Sequence, residues 1–121
     1  MPEVEVEGAG TVDVPEDLRL VLAIEEDAGV DIMHQCGGNA HCATCRVEFL
    51  EGEPEDMTEA EHTLLEMREL LGEARLSCQI LCEHDMKVRP LMTVSELGAS
   101  DPGGKPEEEI TPEPMWVERP Y

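Results

Sequence analysis

Along the first fourteen residues apolar and polar positions alternate: Val4 and Val6, then Val12 and Val14, are separated by acids or threonine. A period of two marks a strand with one buried face. Gly8-Ala9-Gly10 lies between the two runs and can make a tight turn, so the segment predicts a β-hairpin. The period then lengthens. Pro15-Glu16-Asp17 opens a helix with Asp17 as its N-cap, Leu18, Val21, Leu22 and Ala28 share one face, Leu20 and Ile24 widen it, and Gly29 closes it. From Met33 to Cys45 there is no periodicity, only Gly, Cys, His and small residues, which reads as a loop. Val47 and Phe49 restore alternation and predict a strand over 46–50, and Gly52 to Asp56 is an acidic turn.

A second helix has a clear start, because Thr58 followed three residues later by Glu61 forms a capping box. Met57, Ala60, Leu64, Met67 and Leu71 recur at alternating spacings of three and four and mark its inner stripe, Glu59, Glu66, Glu69 and Glu73 lie off it, and Gly72 ends it. Leu76 to Ile80 and Met86 to Arg89 read as two further short strands. The fold class expected is therefore α+β. After Pro90 the composition shifts, which divides the chain into a domain over residues 1–92 and an acidic tail over 93–121. Ser100 to Pro114 is rich in Pro, Gly and Glu, the composition of a mobile or loosely attached segment, with Met115, Trp116 and Val117 able to dock back onto the body.

Composition adds three constraints. A chain of 121 residues makes one domain, and with one Phe, one Tyr and one Trp its core rests on Val, Leu, Ile and Met around Phe49, thin enough to gain from a metal staple. The net charge of −21 excludes nucleic acid as a partner, since phosphate binding needs clustered Lys and Arg. It favours a basic protein partner attracted over a range that salt would screen, and it also keeps a protein soluble and monomeric. No run of about eighteen apolar residues could span a membrane. The acidic N-terminus lacks the basic and apolar regions of a signal peptide. Five cysteines without an export signal place the chain in a reducing, cytoplasmic compartment, where thiols bind metal rather than form staples.

The chemistry concentrates in Cys36-Gly-Gly-Asn-Ala-His-Cys42-Ala-Thr-Cys45 and, after a gap of thirty-two residues, in Leu76-Ser-Cys78-Gln-Ile80. Three thiolates on one short loop and one distant thiolate are how a protein wraps a two-iron cluster. Two ferric ions, two sulfides and four thiolates would sum to a charge of −2, and to −3 when reduced, inside an already acidic protein, so its donors must not be acidic. Backbone N–H groups serve if the chain curls tightly: Gly37 and Gly38 allow the curl, and Ala40, Ala43 and Thr44 keep side chains clear. Such bonds to sulfur also tune the potential.

This pattern, with its later Leu-x-Cys-Gln-Ile, resembles the adrenodoxin and putidaredoxin class of 2Fe–2S ferredoxins over residues 3 to 92. The resemblance implies a β-grasp with one 2Fe–2S cluster on Cys36, Cys42, Cys45 and Cys78, the first two holding the iron nearer the surface and the last two the inner one. It implies a carrier of single electrons from a ferredoxin reductase to a terminal acceptor such as a P450 or another oxygenase, with Glu59, Glu61 and Glu66 on the acidic helix that docks basic partners. The chain departs from the pattern in a shorter gap from Cys45 to Cys78, a longer tail, and Ala60 and Thr63 where some members carry further acids. Electron supply to iron–sulfur cluster assembly is the alternative role for the same class.

From a different class, Cys42-x2-Cys45 with Cys78-x3-Cys82 could form a four-thiolate zinc site in a structural or interaction module, but the Gly-Gly-x-Ala loop would then have no purpose. Cys82 reads as a buried small hydrophobe, and His34 and His41 as hydrogen-bonding or solvent-facing residues. No paired carboxylates, nucleophile with base, or phosphate loop suggests an enzyme with its own substrate.

Overall fold

Val4 and Val6 are fully buried, and the strand that carries them is an inner strand of the main sheet. In the computed structural model, which describes residues 1–98 and 101–121, β1 (Glu3–Val6) pairs antiparallel with β2 (Gly10–Asp13) to form the expected hairpin. On its other side β1 pairs parallel with β6 (Met86–Pro90), so that Val4 lies beside Met86 and Val6 beside Val88. β6 pairs antiparallel with β3 (Arg46–Glu51), which pairs with the short β5 (Arg75–Leu76), giving a mixed sheet of order β2-β1-β6-β3-β5. A separate two-stranded ladder joins β4 (Asp56–Thr58) to β7 (Trp116–Glu118).

One face of the main sheet (Val4, Val6, Val47, Leu76, Met86 and Val88) packs on Leu20, Val21 and Ile24 and on Leu64 and Leu65. Each such aliphatic side chain contributes about 1.5–3 kcal/mol on burial. Phe49 is only partly buried at the edge of this cluster, so the core is aliphatic throughout rather than built around an aromatic.

The first helical segment differs from the expectation. α1 (Leu20–Leu22) passes directly into a π-turn at Ala23–Asp27, and Asp17 caps nothing. Asp17 has φ of 66° and donates its N–H to Cys82 O, Leu20 N donates to Ile80 O, and Cys82 N donates to Leu18 O. Residues 17–20 are thus held as a bridge against 80–82, and the helix starts only after Arg19. Gly29 follows the C-cap in the left-handed region, as expected.

α2 (Glu59–Met67) starts at Thr58, whose side chain accepts from Glu61 N at 3.0 Å. Its inner face, however, is Glu61, Leu64 and Leu65, and Met67 is 72% exposed. The helix stops at Met67, with Arg68 as C-cap, well before Gly72. Ser77–Gln79 form a 3₁₀ turn, so only the start of the Leu76–Ile80 segment is strand.

The C-terminal segment is tied down rather than loosely attached. After α3 (Val94–Leu97), and apart from Ala99 and the first residue of the Pro/Gly/Glu-rich stretch, Ser100, which lie outside the described residues, the chain crosses the cysteine loop. His34 N donates to Pro102 O at 2.8 Å, Pro106 and Ile110 are buried, and Gln79 Nε2 donates to Thr111 O at 2.9 Å. Met115, Trp116 and Val117 do return to the body: Met115 O accepts from Glu59 N, and Val117 pairs with Met57.

Candidate iron–sulfur site

The loop from Met33 to Cys45 has no regular structure but is densely bonded. Gly37 N donates to His34 O, Gln35 N to Thr44 Oγ1 at 3.0 Å, and Asn39 Nδ2 to Cys36 O at 2.8 Å. Gly37, Gly38, Ala40 and Ala43 all have positive φ, which lets the loop turn tightly. Gly38 is constrained in a second way, because a Cβ there would sit 2.8 Å from Arg19 Nη2 and 3.0 Å from Pro106 Cβ.

The four thiols fall into two pairs. Cys36 and Cys42 are partly exposed, and Cys36 N donates to Cys42 Sγ at 3.3 Å. Burial pushes the Cys36 thiol up, but N–H groups of His41, Asn39 and Cys42 and the Cys42 side chain outweigh it and bring it down to about 7. Cys42 Sγ also lies 3.0 Å from Thr44 Oγ1. Cys45 and Cys78 are buried and act on one another, which holds Cys45 well above and Cys78 below the ordinary thiol value. Gln79 Nε2, 3.7 Å from Cys78 Sγ, and the charge of Arg19 also favour the Cys78 thiolate. Ser77 Oγ donates to Cys45 O at 2.7 Å and so ties the distant thiol's turn to the loop.

This donor set fits a two-iron cluster: four sulfurs in two pairs, N–H groups aimed at sulfur, and no carboxylate hydrogen-bonded to any of the four cysteines among the described residues. The zinc alternative draws on Cys82, and the anion that acts on Cys82 is Asp27, not a neighbouring thiol. Cys82 is the buried small residue expected, its thiol raised to about 12 by burial. His41 is exposed, and the buried His34 bonds Glu25 through Nε2.

Among the docking acids, Glu59 and Glu66 are exposed, whereas Glu61 is a correction. Its accessibility is 0%, and it binds Arg75 and accepts from Leu76 N at 2.8 Å, so it presents nothing to a partner. The sequence reading missed Arg19 entirely. The available signal was a lone cation inside the apolar run Leu18, Leu20, Val21, Leu22 in a chain with only 8 Lys and Arg.

Residues 4–83 match the 2Fe-2S iron-sulfur cluster binding domain, and the chain belongs to that family. It is 38% identical over 87 residues to one of the subunits of the Na(+)-translocating NADH-quinone reductase of Methylococcus capsulatus, a match spanning 71% of this chain but 21% of that protein. It is 30% identical over 87 residues to terpredoxin of Pseudomonas sp, covering 68% of this chain and 82% of that one. Among solved structures, the ISC-like [2Fe-2S] ferredoxin FdxB of Pseudomonas putida superposes with TM-score 0.58 at 25% identity, covering 74% of this chain and 91% of that one. The covalent putidaredoxin reductase–putidaredoxin complex gives TM-score 0.51 at 28% identity, covering 73% and 94%. The fold is the α+β β-grasp of these ferredoxins, the chain is of the putidaredoxin class, and its cofactor is one 2Fe–2S cluster.

Proposed function

We propose that Cys36, Cys42, Cys45 and Cys78 are the cluster ligands, and that the chain carries single electrons from a ferredoxin reductase to a terminal acceptor such as a P450 or another oxygenase. The observation that carries this reading is the division of the thiols into a partly exposed pair on the loop and a buried pair joining the loop to the Ser77–Gln79 turn. When bound, the cluster takes up and returns one electron. The chain's residues supply everything around that exchange. Loop amides stabilise the thiolates, Cys45 and Cys78 lie away from water, and Cys36 and Cys42 stand on the side open to a partner.

The docking reading rests on Glu59 and Glu66, exposed on α2, which with net charge −21 favour a basic-faced reductase. A groove of about 500 Å³ joins the loop tip, Asn39-Ala40-His41, to Glu59 and Met67 on α2, so that a partner seated there would lie beside the cysteine loop. The reductase complex of putidaredoxin supports a partner of that kind. No helix among the described residues is long and apolar enough to cross a membrane. The protein is read as a monomer of a reducing, cytoplasmic compartment.

Iron and acid-labile sulfide analysis with an EPR spectrum tests this reading. Two irons and two sulfides per chain are expected, with serine at any of positions 36, 42, 45 or 78 disturbing the spectrum. Colourless protein with one zinc overturns the assignment. The identity with part of the Na(+)-translocating reductase supports a second reading, in which the domain relays electrons within a larger quinone reductase. Co-purification of quinone-reductase components instead of a soluble reductase would select it.

A further inference from the structure

Two arginines are buried among the described residues, and they are compensated differently. Arg75 is held by the carboxylates of Glu61 and Glu53. Arg19, with 0% exposure, has no carboxylate within salt-bridge distance among the described residues, although the chain has 29 acids. Among the described residues the hydrogen bonds of its guanidinium run to main-chain carbonyls. Nε and Nη2 donate to Cys78 O at 3.0 and 2.6 Å, Nη2 to Gly38 O at 2.6 Å, and Nη1 to Glu107 O and Glu109 O at 2.9 and 3.2 Å.

Carbonyls satisfy a guanidinium's hydrogen bonds but not its net charge, and a buried cation without an anion is strongly disfavoured. Burial disfavours the Arg19 charge, and the groups within reach that favour it are the cysteine thiols Cys78, Cys45 and Cys36. Two of its carbonyl partners, Gly38 O and Cys78 O, belong to the loop and to the turn that carry those thiols.

We infer that Arg19 is the internal counter-ion of the iron–sulfur site, a positioning residue whose fixed positive charge holds the reduction potential above the value the same thiolates would otherwise set. This rests on the proposed placement of the cluster at Cys36, Cys42, Cys45 and Cys78. Reduction brings in one electron and makes the site more negative, with no bond or proton changed at Arg19, so a fixed neighbouring cation stabilises the reduced form more than the oxidised one. A rival role is mechanical: the Nη1 bonds to Glu107 O and Glu109 O fasten the C-terminal segment over the loop.

Redox titration of the full chain at an electrode, read by visible absorption, separates the two roles. In Arg19→Met the ratio of reduced to oxidised protein at fixed potential falls at least about tenfold, which for one electron is about 59 mV. In Arg19→Lys, which keeps the charge but not the fork of hydrogen bonds, the ratio stays within a few-fold of the parent while thermal stability falls. Equal shifts in the two variants, or none in Arg19→Met, overturn the inference. If Arg19→Met does not fold, Arg19→Lys decides alone, and a shift there of more than about tenfold (59 mV for one electron) overturns it. A parent protein without iron or sulfide would instead sink the site itself.

Discussion

Arg75 grips Glu61 through both oxygens, Nε to Oε2 at 2.7 Å and Nη2 to Oε1 at 3.1 Å, inside a protein whose acids otherwise mostly face water. Both residues are buried, and Leu76 N adds a third bond to the same carboxylate. Removing Glu61 leaves the buried Arg75 with only the partly exposed Glu53 at 3.3 Å and Leu76 N without its acceptor, so Glu61→Ala costs about 3 kcal/mol of stability. Unfolding followed by circular dichroism checks this. The paired change Glu61→Leu with Arg75→Met recovers most of the loss, because an apolar pair of similar volume leaves no buried charge.

Glu59 and Glu66 behave differently from Glu61. Charge reversal to Lys at either position slows association with the proposed reductase and flattens its salt dependence, with stability unchanged, because both side chains are exposed. Stopped-flow association at several salt concentrations reads the effect. Binding independent of salt in the parent protein would remove the electrostatic account of docking.

Thiol reactivity ranks the cysteines. In protein stripped of metal, Cys36 alkylates first near neutral pH, since its thiol stands at about 7 and is partly exposed. Cys45 and Cys82 react last, both thiols being buried and raised, that of Cys82 to about 12. Mass spectrometry after timed iodoacetamide treatment gives the order. In the cluster-bound protein, Cys82→Ser leaves the visible spectrum unchanged.

The single tyrosine permits a clean titration. Burial, and then donation of its hydroxyl to Glu53 Oε2 at 2.6 Å, raise Tyr121 from 10.0 to about 12. The unfolded chain therefore loses this proton first, and stability falls as pH climbs from about 10 to about 12. Ultraviolet titration of tyrosinate shows a midpoint near 12 in the native protein, and Tyr121→Phe abolishes that part of the alkaline loss.

Local chemistry was legible in the sequence, and long-range pairing was not. The β1–β2 hairpin, the cap at Thr58 and the cysteine loop each depend on residues within about ten positions of one another, so alternation, spacing and turn residues declare them. Asp17 looked like an N-cap because Pro-Glu-Asp before an apolar run has that local form. It is overruled by hydrogen bonds to residues near Cys82, which no local pattern encodes. Met67 obeyed the helical period, yet the helix face is set by Glu61 reaching inward to Arg75. The Pro-, Gly- and Glu-rich composition of Ser100 to Pro114 suggested a loose segment, whereas among the described residues much of its attachment runs through backbone carbonyls, which composition does not report.

The parallel pairing of β1 with β6 bears on how the protein is made. β6 lies in the middle of the sheet, yet residues 86–90 leave the ribosome after all four proposed ligands, Cys78 included. A nascent chain therefore has its thiols before it has the frame that aims them, and closing a sheet between its two distant ends is slow. The frame around Cys78 is therefore complete only once residues 86–90 have been made and have paired with residues 4–6.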